Sequence, residues 1–384
     1  MNIQQICETY VANTYRRYPV TFVRGALARL WDEAGREYID LGSGIAVNIF
    51  GVSDPIWAEA VTRQLTALPH TCNLYYAEPC ARLAEMLCER TGMRKVFFSN
   101  SGAEANECMI KAARKYGEAT GRSTIVTLKD SFHGRTIATL AATGQDVFHQ
   151  HFGPFPAGFA YATPNDLNSV RALCEEENAC AVMLEVVQGE GGVRALDGDF
   201  LRGVEALCRE KDMLFCIDEV QTGNGRSGQL YAYMVHGLTP DIVSTAKGLG
   251  GGLPIGATLL GEKVQNTLTY GDHGSTFGGN PVACAGAVSI LSRLDEAFLQ
   301  GVRERAEYIR GELAGAKGVR GVDGLGLMLG IETEKPAGEI VSACLARGVL
   351  VLTAKNKVRL LPPLNIGWDD LEKAIAILKE VIAA

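Results

Sequence analysis

An open α/β architecture, with a mostly parallel central sheet in a large domain and a smaller α+β domain after it, is the fold this sequence predicts. Three observations carry the prediction. Between Val96 and Ile217 short β-prone runs alternate with helix-prone segments, the pattern of parallel β/α construction. Two apolar runs lead to ionisable side chains, Leu214–Asp218 ending on Asp218 and Ile242–Ala246 standing just before Lys247. Such strand ends predict a crevice at the carboxyl edge of the sheet. After about Leu249 the alternation gives way to longer helical stretches and isolated strands.

In chain order, Leu27–Trp31 and Glu37–Asp40 flank the turn-like Asp32–Gly35, a small antiparallel hairpin outside the main sheet. Glu78–Thr91 sets Ala81, Leu83, Ala84, Leu87 and Cys88 at helical spacing. Val96–Phe98 makes a short strand, and a helix from about Ala103 to Tyr116 opens with Ser101 as cap and Glu104 at capping-box distance. Ile125–Leu128, Ala181–Val187 and Leu214–Ile217 add strands, with helix-prone Leu201–Glu210 before the last of them. Ala283–Ser292 and Leu299–Ala314 read as helices, Gly326–Ile331 and Val358–Leu360 as strands, and Leu371–Ile382 as a closing helix.

The 384 residues, 47% hydrophobic and 21% charged, are enough for a full core and for more than one domain. The expected division is an N-terminal segment 1–45 joining the small domain, a large domain 46–292 and a C-terminal small domain 293–384. A formal charge of -7 supplies no global field for nucleic acid or anionic lipid. The amino terminus lacks the make-up of a signal peptide, and no charge-free apolar run is long enough to span a bilayer, so a cytoplasmic protein is expected. Eleven cysteines without a CxxC pair are expected to be reduced and mostly buried.

Lys247 stands between the uncharged Ile242–Ala246 and the glycine-rich Gly248–Gly256. An amine among such neighbours has a depressed pKa, which nucleophilicity near neutral pH requires; the plain alternative is a surface lysine just past a strand. Ser99–Ala103 offers exposed amides where a strand meets a helix, able to hold a phosphate or simply to cap the helix. In Phe132–Thr136, Phe132, next to His133 and Gly134, can stack on a flat ligand, and Arg135 presents a planar fork to a carboxylate or to solvent. Glu185 lies in a strand-like run and reads as a paired structural group, whereas Glu190 is exposed among glycines and can meet a ligand or an arginine. Asp218 fits a general base, the counter-ion of a ring nitrogen or a metal ligand. A metal ranks last, because only Glu219 stands nearby and His149–His151 has no third ligand. Gly223–Gly228 matches GxGxxG but lacks the strand, turn and helix context of a dinucleotide site.

Taken together, DLGSGIAVN at Asp40–Asn48, SNSGAEANE at Ser99–Glu107, FHGRT at Phe132–Thr136, EVVQGEGG at Glu185–Gly192, IDEVQTGNGRSG at Ile217–Gly228, TAKGLGGGLPIG at Thr245–Gly256 and GSTFGGNP at Gly274–Pro281 resemble the class III aminotransferases. These are pyridoxal 5'-phosphate enzymes of fold type I, and the likeness runs from about Thr21 to Asn365. It implies that Lys247 carries the cofactor covalently and that Asp218 pairs with its ring nitrogen. Ser101, Gly102 and Ala103 would bind the phosphate, Phe132 and His133 would lie against the ring, Val220 and Gln221 would pack near its other face and hydroxyl, and Thr276 would reach the phosphate of a neighbouring subunit in a homodimer.

For substrates the resemblance implies that Arg359 grips the α-carboxylate of glutamate, that Glu190 covers that arginine when an ω-amine enters, and that Arg135 holds the far carboxylate. Asn73, Tyr75 and Ser275 would line the same pocket. The implied reaction passes the side-chain amine of N2-acetylornithine to 2-oxoglutarate, with ornithine, succinyl-diaminopimelate, succinylornithine and 4-aminobutyrate as alternative donors. One stretch departs from the family: Gly51–Val52–Ser53–Asp54–Pro55 stands where a segment like GHCHP is usual, so both histidines are missing. A cofactor-binding protein without turnover is the reading from another class, and the combination of Lys247, Asp218 and Arg359 argues against it.

Overall fold

The computed structural model describes residues 1–384. At its centre lies a seven-stranded sheet with the spatial order Lys95–Ser99, Gly256–Leu260, Ile242–Thr245, Leu214–Asp218, Ala179–Leu184, Thr124–Leu128, Phe159–Ala162. Gly256–Leu260 runs antiparallel to both neighbours, and the other adjacent pairs are parallel. All the strands but that one therefore point the same way, and their carboxyl ends share one edge.

The central strands are covered on both faces. Every residue of Thr124–Leu128, Ala179–Leu184, Leu214–Asp218, Ile242–Thr245 and Gly256–Leu260 is buried, which is why they read as continuous apolar runs rather than as alternation. The helix Gly102–Glu118 lays Ala105, Asn106, Met109, Ile110, Ala112 and Ala113 against this sheet. The helix Gly198–Glu210 buries Leu201, Val204, Leu207 and Cys208 along one stripe. Each large aliphatic buried this way contributes roughly 1.5–3 kcal/mol, so a charge at Val204 would open that stripe.

The expected hairpin is present, with Arg29–Asp32 antiparallel to Glu37–Asp40. Phe22–Ala26 extends it on one side and Val349–Leu350, from far along the chain, pairs in parallel on the other. A further antiparallel sheet runs Val319–Leu325, Met328–Thr333, Lys357–Leu360, Leu352–Ala354, flanked by the helices Glu296–Leu313, Ala337–Ala346 and Trp368–Ala383.

Two expected strands are displaced. The run from Ala181 stops at Leu184, because the Glu185 side chain takes the amides of Phe132 and Gly189 and leads the chain out of the ladder. Val187–Gln188 pairs instead with Arg194–Ala195. The strand expected from Gly326 begins at Met328, since Gly326, at φ 53°, forms the turn between antiparallel partners. Pro55–Ala67, Phe159–Ala162, Leu167–Glu176 and Gly256–Leu260 were not expected. All eleven cysteines are free and seven are buried. No helix is long and apolar enough to cross a membrane.

Candidate active site

Where the carboxyl ends of the strands converge, the surface opens into a cleft of about 590 Å³. Ser101, Gly102 and Ala103 reach it from the start of one helix, Phe132, His133 and Arg135 from the loop after Thr124–Leu128, and Asp218, Val220 and Gln221 from the end of Leu214–Asp218. Glu190 and Lys247 also line it, as do Tyr15, Asn106 and Glu185. Asp218 and Lys247 come from neighbouring parallel strands, with Asp218 in register with Ser244.

Lys247 is half-buried and opens a single turn of 3-10 helix, Lys247–Leu249, which Gly250 N closes by donating to Lys247 O at 3.0 Å. Its φ of 44° lies in the left-handed region, a strain of about 1–3 kcal/mol that only surrounding structure can hold. Burial pushes its pKa below the usual lysine range; Glu190 works against that shift and Arg359 adds to it. The lowered pKa enriches the neutral amine, the form that attacks carbon or takes a proton.

Asp218 is clamped from three directions. Its Oδ2 accepts from Asn106 Nδ2 at 2.7 Å and from His133 Nδ1 at 2.8 Å, and its Oδ1 accepts from Val220 N at 3.0 Å. An ionised carboxylate can only accept, so His133 carries its proton on Nδ1. Asn106 also donates to His133 O at 2.8 Å, tying the two partners of Asp218 together. Asn106 lies within SNSGAEANE without a role legible in the sequence; its signal is a lone amide on the buried, alanine-rich stripe of its helix.

Gly102 and Ala103 occupy the first helical positions, where amides have no acceptor within the helix. Ser101 Oγ caps the helix by accepting from Glu104 N at 3.2 Å. The return bond of the expected capping box falls one residue early, on Asn100 N, which donates to Glu104 Oε2 at 3.0 Å. A Cβ on Gly102 would lie 2.6 Å from Val220 Cγ1. Glycine is what lets this helix start approach the strand end carrying Asp218.

Arg359, buried on the strand Lys357–Leu360, donates to Glu190 Oε1 at 2.5 Å and to Gln221 Oε1 at 3.3 Å. Burial pushes Glu190 upward, but Arg359 outweighs it and holds the carboxyl below its usual range. Glu185, raised by burial, is the paired group expected, accepting from Phe132 N at 3.0 Å and Gly189 N at 3.2 Å. Arg135 is exposed and lies 4.0 Å over the Phe148 ring and 5.2 Å from that of Phe132.

Five expected residues do not line this chain's cleft: Arg359 reaches it only through Glu190 and Gln221, and Asn73, Tyr75, Ser275 and Thr276 stand apart from it. Asn73 Nδ2 donates to Ser275 O and Gly278 O, each at 2.9 Å, and Ser275 Oγ accepts from Asn100 Nδ2 at 3.1 Å. Tyr75 is 71% exposed and Thr276 is exposed as well. Leu74, Tyr76 and Phe277 stand open to solvent in the same region. The glycine run Gly223–Gly228 opens no helix. Its fully buried Arg226, which the sequence reading passed over, donates to Leu327 O at 3.2 Å and Pro362 O at 2.5 Å.

The family model for class III aminotransferases matches residues 10–382. The chain belongs to the class III aminotransferases. This aminotransferase is 50% identical over 386 residues to acetylornithine aminotransferase of Haemophilus ducreyi, covering 99% of this chain and 98% of that protein. It is 45% identical to acetylornithine aminotransferase of Aquifex aeolicus, covering 97% of this chain and all, 100%, of the other. Among solved structures, N-acetylornithine aminotransferase from Stenotrophomonas maltophilia superposes with a TM-score of 0.86 at 36% identity, over 99% of this chain and 98% of that one. Ornithine aminotransferase from Toxoplasma gondii, whose active site holds pyridoxal phosphate at partial occupancy, gives 0.94 at 30% identity over 99% and 93%.

The class III aminotransferase is a pyridoxal-phosphate-dependent enzyme, and its cleft suits that cofactor. Buried His133 Nε2, Asn106 Oδ1 and Arg359 Nε have no partner within the chain. Free amides at Gly102 and Ala103, a fixed carboxylate at Asp218 and a low-pKa amine at Lys247 match a phosphate, a ring nitrogen and an aldehyde respectively.

Proposed function

We propose that this enzyme transfers the side-chain amine of N2-acetylornithine to 2-oxoglutarate, giving N-acetylglutamate 5-semialdehyde and glutamate, in cytoplasmic arginine biosynthesis. The observation that carries the reading is the Glu190–Arg359 pair at 2.5 Å. A donor reacting through a terminal amine keeps its acylated end away from the cofactor and needs no bare arginine near the reacting carbon. Glutamate reacts through its α-amine and needs Arg359 for the adjacent carboxylate. One acid that covers or releases one arginine serves both half-reactions in a single cleft. The names of the relatives support the acylated donor.

When bound, pyridoxal phosphate supplies an aldehyde that joins covalently to an amine and a protonated ring that accepts electron density from the reacting carbon. Lys247 would hold the cofactor covalently, and its amine, when free, would take up and return a proton at the reacting carbon. Asp218, steadied by His133 and Asn106, would keep the ring nitrogen protonated. Ser101, Gly102 and Ala103, which line the cleft, would hold the phosphate; Phe132 would cover one ring face, and Val220 with Gln221 would flank the other face and the hydroxyl. Arg135 takes the far carboxylate of 2-oxoglutarate.

The working form in this reading is a homodimer. Asn73, Tyr75, Ser275 and Thr276 stand away from this chain's own cleft, beside exposed Leu74, Tyr76 and Phe277, as residues completing a partner's site would. Residues 46–292 form the cofactor unit, and 293–384 with 1–45 form the small domain that brings Arg359. The test compares kcat/KM for N-acetylornithine, ornithine, succinyl-diaminopimelate, succinylornithine and 4-aminobutyrate with 2-oxoglutarate as acceptor. N-Acetylornithine is expected to lead; a strong preference for ornithine or 4-aminobutyrate overturns the assignment. Light scattering in solution checks the dimer.

A further inference from the structure

The segment Gly51–Pro55, where the family's histidines are missing, leads into the helix Pro55–Ala67, and that helix reaches the turn behind Lys247. Asp54 caps it by accepting from Trp57 N at 2.9 Å and pairs with Arg293 Nη1 at 2.8 Å. Arg293 in turn lies 3.8 Å over the Phe50 ring. The helix start is thus fixed to its own first turn and to the chain just past the helix Pro281–Leu291.

From that fixed start Trp57 crosses to the glycine run, where its Nε1–H donates to Gly250 O at 3.0 Å. The slot fits an indole. A Cβ on Gly286 would come within 2.9 Å of Nε1, and one on Gly251 within 3.2 Å. Gly250 is also the residue whose amide closes the turn on Lys247 O at 3.0 Å. The indole is therefore linked to Lys247 through one residue, by Gly250 O on one side and Gly250 N on the other. Lys247, Gly251 and Gly252 hold φ values of 44°, 59° and 130°, a stretch that no strand ladder supports.

We propose that Trp57 is a positioning residue for Lys247: its indole N–H holds the Gly250 carbonyl and so sets where the lysine amine stands in the cleft. Trp57 does not line the cleft. The claim rests on Lys247 being the residue that carries the cofactor.

Two variants test it. Trp57→Phe keeps most of the ring surface and removes the N–H, whereas Gly286→Ala keeps the tryptophan and pushes it off its seat. Native enzyme and both variants are compared in thermal midpoint, in the pH at which the absorption band of bound cofactor changes, and in single-turnover rates with N-acetylornithine and with glutamate. Both variants are expected to bind cofactor, to move the spectral transition by about half a pH unit or more, and to slow both half-reactions roughly tenfold at saturating substrate with KM little changed. A native transition pH with native single-turnover rates in Trp57→Phe overturns the proposal even if the thermal midpoint falls, since that fall alone marks packing. Should Trp57→Phe not fold, Gly286→Ala decides by the same readouts. A native chain without any cofactor band would overturn the reading of Lys247 itself, so the two failures are told apart.

Discussion

Glu190 Oε1 meets Arg359 Nη1 at 2.5 Å across 169 positions of sequence. The arginine side chain is 5% exposed and the glutamate 32%, so the acid is the member free to swing aside. Arg359→Gln is expected to impair the glutamate half-reaction by about 2–5 kcal/mol, much of it from the unpaired carboxyl left behind. Glu190→Ala should shift donor preference toward glutamate, on the order of tenfold, because Arg359 then stays uncovered. Half-reaction kcat/KM values check both, and equal losses in the two half-reactions would contradict the covering role.

On the proposed reading, Lys247→Ala removes the covalent anchor and the proton carrier together. Cofactor absorbance typical of a lysine-bound state should vanish, and turnover should fall by several orders of magnitude, roughly 10³-fold or more. Added methylamine, a small amine that enters the vacated space, is expected to restore a measurable part of the rate. Substantial transamination by the variant without added amine would refute the assignment.

Asp218→Asn keeps the size of the side chain and removes its charge. On the proposed reading the ring nitrogen then loses its counter-ion, and His133 Nδ1 and Asn106 Nδ2 lose the carboxylate that both donate to. Single-turnover proton transfer is expected to slow by about 10²–10³-fold while the phosphate contacts persist. A variant with native single-turnover rates would remove Asp218 from the chemistry.

Gly102→Ala puts a methyl 2.6 Å from Val220 Cγ1 at the phosphate end of the cleft. The expected result is weaker cofactor retention, by roughly tenfold, with smaller change in the thermal midpoint of the cofactor-free chain. Equilibrium dialysis against cofactor measures it. Unchanged retention would mean that Val220 can move aside without disturbing the site.

Glu219 beside the site has its pKa raised by burial from about 4.5 to about 7, with Thr222 and backbone amides only partly offsetting the shift. A carboxyl whose folded pKa is raised contributes stability that is whole below about pH 4.5 and lost as the pH climbs through about 7. Glu219→Gln cannot lose a proton, so the variant should shed up to about 1.4 kcal/mol per pH unit of that decline. Denaturant unfolding of the cofactor-free protein across this range reports it, and identical slopes for native and variant would refute the shift.

Much of the architecture was legible because its causes are local. Buried strands announce themselves as unbroken apolar runs, the helix after Ser101 by its cap, and the reacting groups by standing at strand ends. Less legible were elements whose reason lies elsewhere in the chain. Gly256–Leu260 looks like any apolar strand, and nothing within it tells that it inserts antiparallel between Lys95–Ser99 and Ile242–Thr245. Ser275 and Thr276 stand in a family motif, and Asn73 and Tyr75 are expected in the pocket, yet all four lie off the cleft of their own chain.

By itself, then, the order of residues determined the sheet class, the placing of Lys247 and Asp218 at strand ends and the helix start capped by Ser101, since each is a matter of neighbours within a few positions. Only the folded chain decided that Asn106 and His133 share Asp218, that Arg359 waits under Glu190, and that Trp57 braces the turn of Lys247. Those contacts join segments tens to hundreds of residues apart, and hydrogen-bond geometry of that kind exists only after packing has fixed both partners in space.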